Sequence, residues 1–165
     1  ACRPATPADV PRLAELASAA VDELRAGRGG DVWARTQGRQ PPFDAALADE
    51  VDAPDAMVLA GTLDGTVVGY AVVRLQPLAD GTTLGVLSDL YSEPGAREVG
   101  LGEVMMAAVV EWCEDQGCFG LDSLALPGDR HTKNFFESFG LVARAIPTRT
   151  ETEYREALDA GPPTQ

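Results

Sequence analysis

The sequence predicts one α/β (α+β) domain, a mixed and twisted sheet of about six to seven strands with helices on both faces. The first observation behind this is a change of hydrophobic period. Apolar residues recur at helical spacing up to about Val51, alternate in the manner of strands from Ala56 to Ser92, and then switch between the two periods. The second is Asp64-Gly65-Thr66 between two Val-, Leu- and Tyr-rich runs. That hairpin signal implies antiparallel neighbours, whereas the later strand-helix-strand order implies parallel crossovers, so the sheet is mixed. The third is size: 165 residues, 45% of them hydrophobic, bury roughly two-thirds of their unfolded surface and need no disulfide or metal staple.

Thr6, Pro7 and Asp9 open the first helix. A hydroxyl N-cap, proline at the first helical position and a carboxylate three residues after the cap suit a terminus whose N–H groups lack intrahelical acceptors. Val10, Leu13, Ala17, Ala20 and Leu24 keep helical spacing to about Arg25. Residues 27–42 hold four glycines and two prolines with no apolar period and read as a long loop, in which Arg28, Arg35 and Arg39 outnumber Asp31. Phe43 to Val51 reads as a short helix ended near Pro54. Ala56 to Leu63 and Val67 to Gln76 are strands around the hairpin, and Thr82 to Ser92 is a third, stopped by Pro94 and Gly95. In the next helix Leu101, Val104, Met105, Ala108, Val109 and Trp112 line one face until Gly117. Phe119 to Leu126 reads as a strand, Asp129 to Phe139 as a helix closed by Gly140, and Leu141 to Thr150 as a strand. The order is β-α-α-β-β-β-α-β-α-β, with one more short strand around Glu153 to Leu158. The domain spans residues 2–158, and residues 159–165, with Pro162 and Pro163, read as a disordered tail.

Composition narrows the function. Thirteen Lys and Arg against 26 Asp and Glu leave a formal charge of −13, which disfavours a phosphate backbone and an anionic membrane, so neither nucleic acid nor membrane is expected as a partner. Cys2, Cys113 and Cys118 lack metal-ligand spacing, and His131, the single histidine, cannot complete a zinc site with them. No metal is expected. Reduced thiols and the lack of a targeting segment point to the cytoplasm.

The informative junction runs from Leu90 to Gly102. A strand passes through a tight turn into a helix start with two glycines in its first turn, where unpaired N–H groups and the helix dipole favour an anion. The run Leu90-Tyr91-x-x-Pro94-x-x-Arg97-x-x-Gly100-x-Gly102 resembles the acyl-CoA-binding signature of the GNAT superfamily of N-acetyltransferases. Arg3 to Asp9 resembles that family's opening strand and helix start. Asp129 to Leu141, ending Phe-Phe-Glu-Ser-Phe-Gly-Leu, resembles its second cofactor-contacting helix. The resemblance covers about residues 2–150 and implies a three-layer GNAT-like fold.

It also implies jobs. The main chain of Leu90, Tyr91 and Ser92 would hold the pantetheine arm of acetyl-CoA and place an N–H near the acetyl carbonyl. The amides of Arg97, Glu98, Val99, Gly100, Leu101, Gly102 and Glu103 would hold the pyrophosphate. Asp129 stands where the family usually has a cofactor-contacting Asn, and Phe136 where it usually has the Tyr that protonates the leaving thiolate. Phe136 cannot do this, so Ser88, Tyr91 or an ordered water would substitute. Candidates for the base are Asp89, Glu93 and Glu50, and strand alternation puts Ser88 and Leu90 on one face, Asp89 and Tyr91 on the other. With Leu90, Ser88 and Tyr91 as the candidate catalytic residues, the reading is direct acetyl transfer from acetyl-CoA to a primary amine on a small molecule or peptide. The alternatives are an acyl-CoA-binding sensor that turns over little, and a structural domain with an empty cleft.

The remaining features have plain readings. His131 is solvated, Phe135 and Phe139 are core, Met105 and Met106 fill gaps, and Cys113 and Cys118 are inert thiols because no nearby positive charge activates them. Trp33 either pins its loop or lines an acceptor pocket. The three loop arginines favour an anionic group on the acceptor or pair with local acids. Family members are often dimers, and edge strands near the C-terminus offer a pairing route to a homodimer.

Overall fold

The computed structural model describes residues 1–125 and 129–143, and the chain divides into two compact units, Ala1–Leu126 and Pro127–Gln165. In the first, β1 (Cys2–Pro4) leads through a 3-10 turn (Pro7–Asp9) into α1 (Val10–Arg25), α2 (Gly30–Thr36) and α3 (Phe43–Asp52). The meander β2 (Ala56–Leu63), β3 (Thr66–Pro77) and β4 (Thr83–Ser92) follows, and α4 (Pro94–Arg97) and α5 (Leu101–Asp115) cross over to β5 (Gly120–Ser123). The strands lie side by side in chain order. All neighbours are antiparallel except β4 and β5, the pair that α5 separates in sequence, as a parallel connection requires. In the second unit the described element is α6 (Arg130–Ser138). The strand expected over 141–150 lies outside the described residues from residue 144 onward, as do the segments at 153–158 and 159–165. Five strands are therefore the count among the described residues.

Each face of the sheet has its own layer. Val10, Leu13, Leu16 and Ala17 of α1 and Leu47 of α3 close over Val58, Tyr70 and Val72 in one cluster. On the other face α5 lies unusually close, because the sheet offers it glycines. A methyl at Gly61 would fall 2.8 Å from Met105 Sδ, one at Gly69 3.1 Å from Leu101 Cδ2, and one at Gly85 2.5 Å from Cys113 Sγ. The buried seam of α5 is accordingly Leu101, Met105, Met106, Val109 and Cys113. Val104, expected on that seam, is exposed, since the close approach selects the i, i+4 row that meets the glycines and turns Val104 outward.

The structure corrects the reading of residues 27–42, which contain the two-turn helix α2. The glycines there serve its entry and exit. Gly30 has no room for a side chain, because its Cβ would lie 1.9 Å from the Leu24 carbonyl oxygen. The residues between need no glycine-like freedom, and an Arg35–Asp31 ion pair at i, i+4 supports them. At the far end the Gln40 side-chain amide donates to the carbonyls of Ala34 and Gly38 at 2.7 and 2.8 Å. In α6 the buried ring is Phe136, and Phe135 and Phe139 are half-buried. Phe135 packs between the other two, with centroids 5.7 and 5.4 Å away.

The start of α1 is fastened by one carboxylate. Asp9 accepts two hydrogen bonds from Arg3, at 2.7 and 2.9 Å, and two from Thr6, from its N–H at 2.8 Å and its hydroxyl at 3.0 Å. Arg3's hydrogen bond, aided by those of Thr6, outweighs the effect of burial and holds the Asp9 carboxyl far below the usual range. Asp9→Asn is expected to cost about 1–3 kcal/mol in urea unfolding near neutral pH. Because the folded-state value is depressed, this stabilisation is complete above the unfolded value near 3.9 and is lost as pH falls. The gap between wild type and variant should therefore narrow below about pH 4.

Candidate active site

The site is set by one extra residue in β4. Pairing with β3 runs Arg74↔Val86 and Val73↔Leu87, then resumes as Val72↔Asp89, Ala71↔Leu90 and Tyr70↔Tyr91. Ser88 is thus a β-bulge. Ahead of it the Phe119 N–H reaches the Thr83 carbonyl on the β5 side at 2.7 Å, so odd-numbered residues face β5. Beyond it the Glu93 N–H donates to the Val68 carbonyl of β3 at 2.9 Å, so odd-numbered residues face β3. The bulge thereby exchanges the two edges, and the N–H and C=O of Leu90 and Ser92 point away from β3. No described strand meets them there, because the β4–β5 ladder ends at Leu87↔Ser123.

The bulge also corrects the expected alternation. Asp89 and Tyr91 do share a face, but Ser88 is not opposite them, and its hydroxyl donates to Asp89 Oδ1 at 2.7 Å. Tyr91 leans on Tyr70, with centroids 6.5 Å apart, under the Arg97 guanidinium at 5.4 Å. Burial raises the Tyr91 phenol above its usual value.

The turn after β4 is pinned on both sides. Glu93 accepts from Arg12 of α1 at 2.7 Å. Arg97 donates to the Ser92 carbonyl at 2.9 Å and to Glu23 of α1 at 2.7 Å. Its guanidinium is therefore occupied, while its main chain leads on through Glu98 and the exposed Val99 to Gly100. Gly100 is the N-cap of α5 at φ 76°, with nothing closer to its Cβ position than Glu103 Oε2 at 3.7 Å. The first N–H groups of α5, at Leu101, Gly102 and Glu103, have no intrahelical acceptor. The Leu101 side chain points into the sheet against Gly61 and Gly69, leaving its main chain to the turn.

The three candidate bases are all tied up. Asp89, 11% exposed, accepts from Arg39 Nε and Nη2 at 3.0 and 2.8 Å, from the Tyr70 hydroxyl at 2.8 Å and from Ser88. Glu50, 14% exposed, takes Arg74 at 3.2 Å on Oε1, while Arg39 Nη1 lies 2.8 Å from Oε2. That last contact is a close ion pair without hydrogen-bond alignment, so Oε2 has no hydrogen-bond donor. Glu93 belongs to Arg12. To accept a proton, each would have to give up an ion pair. Arg39 itself, 9% exposed, is opposed by burial, yet Asp89 and then Glu50 raise its value and keep it charged. Burial and then Asp89 push the Tyr70 phenol well up. Of the loop arginines, Arg35 thus pairs with the local Asp31, and Arg39 with Glu50 and the sequence-distant Asp89. The Trp33 ring lies against the turn closing α2, 3.2 Å from the Cβ position of Gly38.

In the second unit Asp129 caps α6. Its carboxylate accepts from the Thr132 N–H at 3.0 Å and hydroxyl at 2.6 Å, an N-cap at the helix start expected there. The Phe136 carbonyl accepts from the Phe139 and Leu141 N–H groups, and His131 is exposed, as expected.

Beyond the bulge the β4 edge has no described strand neighbour, and it is followed directly by a helix start whose N–H groups favour an anion. Residues 30–141 match the Acetyltransferase (GNAT) family. The chain is 34% identical over 125 residues to an aminoglycoside N(6')-acetyltransferase type 1 of Stenotrophomonas maltophilia, covering 73% of this chain and 72% of that protein. Among solved structures, a mutant BH1408 protein of Bacillus halodurans superposes with TM-score 0.77 at 17% identity, covering 91% of this chain and 98% of that one. AAC(6')-Iy, solved in complex with a bisubstrate analogue, superposes with TM-score 0.68 at 18% identity, covering 92% and 97%. The chain belongs to the GNAT acetyltransferase family and is an acyltransferase. No helix among the described residues is long and apolar enough to cross a membrane, and no described cluster of His, Cys, Asp and Glu could hold a metal.

Pairing of the loop arginines with acids is one of the sequence expectations, but nothing in the sequence beyond an arginine excess in one loop of an acidic chain singles out Arg39 or its partners Asp89 and Glu50. Arg39→Met strands Asp89 and Glu50 without their shared cation and is expected to cost about 3–5 kcal/mol in chemical denaturation. Adding Asp89→Asn removes one stranded charge, so the double variant should be destabilised by clearly less than the sum of the single effects.

Proposed function

We propose that the protein transfers the acetyl group of acetyl-CoA directly to a primary amine of a cationic small molecule of the aminoglycoside type. The observation that carries this reading is the β4 edge beyond the Ser88 bulge, which no described strand covers, leading into the helix-start amides of residues 101–103. In this reading the Leu90 main chain aligns the pantetheine arm and its N–H donates to the carbonyl oxygen as negative charge develops there. The amides centred on Gly100 and Gly102 receive the pyrophosphate, as a helix start does for any phosphate. Acetyl-CoA supplies the activated acyl group. The acceptor class rests on the aminoglycoside acetyltransferase relatives and on the charge of −13, which attracts a polycation.

An alkylamine near pKa 10.4 is neutral in only about one molecule in a thousand at pH 7. With Asp89, Glu50 and Glu93 all ion-paired, deprotonation of the amine by any of them would weaken an ion pair. Phe136 offers no proton, which leaves the thiolate to Ser88, Tyr91 or solvent. Those same ion pairs favour the second reading, a binding domain with little turnover. Residues 2–158 form one acyltransferase domain in this proposal, supported by a family match that crosses the division at residue 126. Three free thiols suit a cytoplasmic setting.

The test is acetyl-CoA calorimetry followed by CoA release against aminoglycosides, polyamines and lysine peptides. The proposal expects binding and turnover with aminoglycosides. Binding without turnover across the panel would install the second reading, and no binding at millimolar acetyl-CoA would remove both. Gly100→Asp should weaken acetyl-CoA binding by more than about tenfold with an unchanged circular dichroism spectrum.

A further inference from the structure

Cys113 and Cys118 are inert thiols on the sequence expectation, and the end of α5 brings them together. After Asp115 the helix closes through Gln116 and Gly117, the latter at φ 70°. The Gly117 N–H donates to the Glu114 carbonyl at 2.9 Å, and the Cys118 N–H donates to the Cys113 carbonyl at 2.9 Å. These two bonds are the Schellman closure, in which the side chains of the residues third from the end and second beyond it characteristically touch. Here both are cysteines. A disulfide needs Cα atoms about 4.4–6.8 Å apart, and a direct backbone hydrogen bond between the two residues holds them at that order of separation. The thiols also sense each other, since burial and then Cys118 push the Cys113 thiol up to about 12.

We propose that Cys113 and Cys118 form a dithiol site that exchanges with small disulfides of the glutathione class and closes into a reversible intramolecular disulfide. Cys118 is half-buried and Cys113 buried, so Cys118 is the entry thiol. Its thiolate attacks one sulfur of oxidised glutathione, forming a mixed disulfide and expelling one glutathione thiolate, which takes up a proton. Cys113 then loses its proton to solvent and attacks the Cys118 sulfur, and the second glutathione leaves as a thiol. Two cysteines are oxidised by two electrons and one glutathione disulfide is reduced to two thiols. The high value of Cys113 slows the second step. The Schellman contact offsets this by making the step intramolecular, and opening of the helix end exposes the thiol. Closure also draws the Cys113 sulfur from its seat over Gly85, so the site reports on the contact between α5 and β4.

The experiment uses the full chain carrying Cys2→Ser, which removes the third thiol at β1. The protein is incubated with oxidised glutathione in mildly alkaline buffer, quenched in acid, and analysed by intact mass and peptide mapping. The expected product is lighter by two hydrogens, carries a 113–118 crosslink, holds no glutathione, and reverts with dithiothreitol. Adding Cys113→Ser should trap a stable glutathione adduct on Cys118, and adding Cys118→Ser should prevent both products. If Cys113→Ser does not fold, the product of the Cys2→Ser protein decides alone. A persistent glutathione adduct on that protein, or two thiols at 113 and 118 that still alkylate after prolonged incubation, would overturn the proposal.

Discussion

The last residues of β4 are held from one side, and the rest of the cleft follows from that constraint. Up to Leu87 the strand has neighbours on both edges, β3 and β5. From Leu90 onward β3 is its only described strand partner, and the Ser88 bulge has turned the N–H and C=O of Leu90 and the N–H of Ser92 to the side where no described strand lies, the Ser92 carbonyl there accepting from Arg97. A backbone in that state is normally a liability. In the proposed function it is the feature with which an extended, amide-bearing ligand arm would pair, as a further strand would.

A strand with a free edge needs other anchors, and they come from the α1 and α3 face. Arg39 and Tyr70 fix Asp89 beside the bulge, Arg12 fixes Glu93, and Glu23 fixes Arg97. Each anchor is an ion pair or hydrogen bond formed by a side chain that sequence reading had considered for chemistry or for ligand binding. The acidic composition thereby acquires two meanings. Buried or half-buried acids serve as fastenings for arginines, and the large excess left over charges the surface. In the proposed function neither would contribute to phosphate binding, which would fall to helix-start N–H groups after Gly100 and be indifferent to net charge.

Much of the fold was legible because side chains encode it locally. The Asp64-Gly65 hairpin, the Thr6-Pro7-Asp9 helix start and the extents of α1, α3 and β2 to β4 depend on neighbours within a few residues. The bulge was not legible, because no residue type marks Ser88 as the extra one; register is decided by pairing with β3. Arg39 and Asp89 are fifty residues apart and meet only through the tertiary fold. Helix α2 was hidden by glycines that belong to its ends. Val104 was misplaced because the glycines that choose the contact row of α5 lie on β2, β3 and β4. The Arg97-x-x-Gly100-x-Gly102 motif was visible in the order of its residues, but its geometry was not.

The direction of two amides decides whether the β4 edge is available to a ligand. Residue-resolved hydrogen exchange, measured with and without acetyl-CoA, reads them directly. In the free protein the Tyr91 amide, bonded to β3, should exchange slowly and the Leu90 amide quickly. Acetyl-CoA should slow Leu90 and the amides of residues 100–103 while leaving Tyr91 nearly unchanged. A Leu90 amide already as protected as that of Tyr91 without ligand would mean that the edge is not open, and would contradict the account.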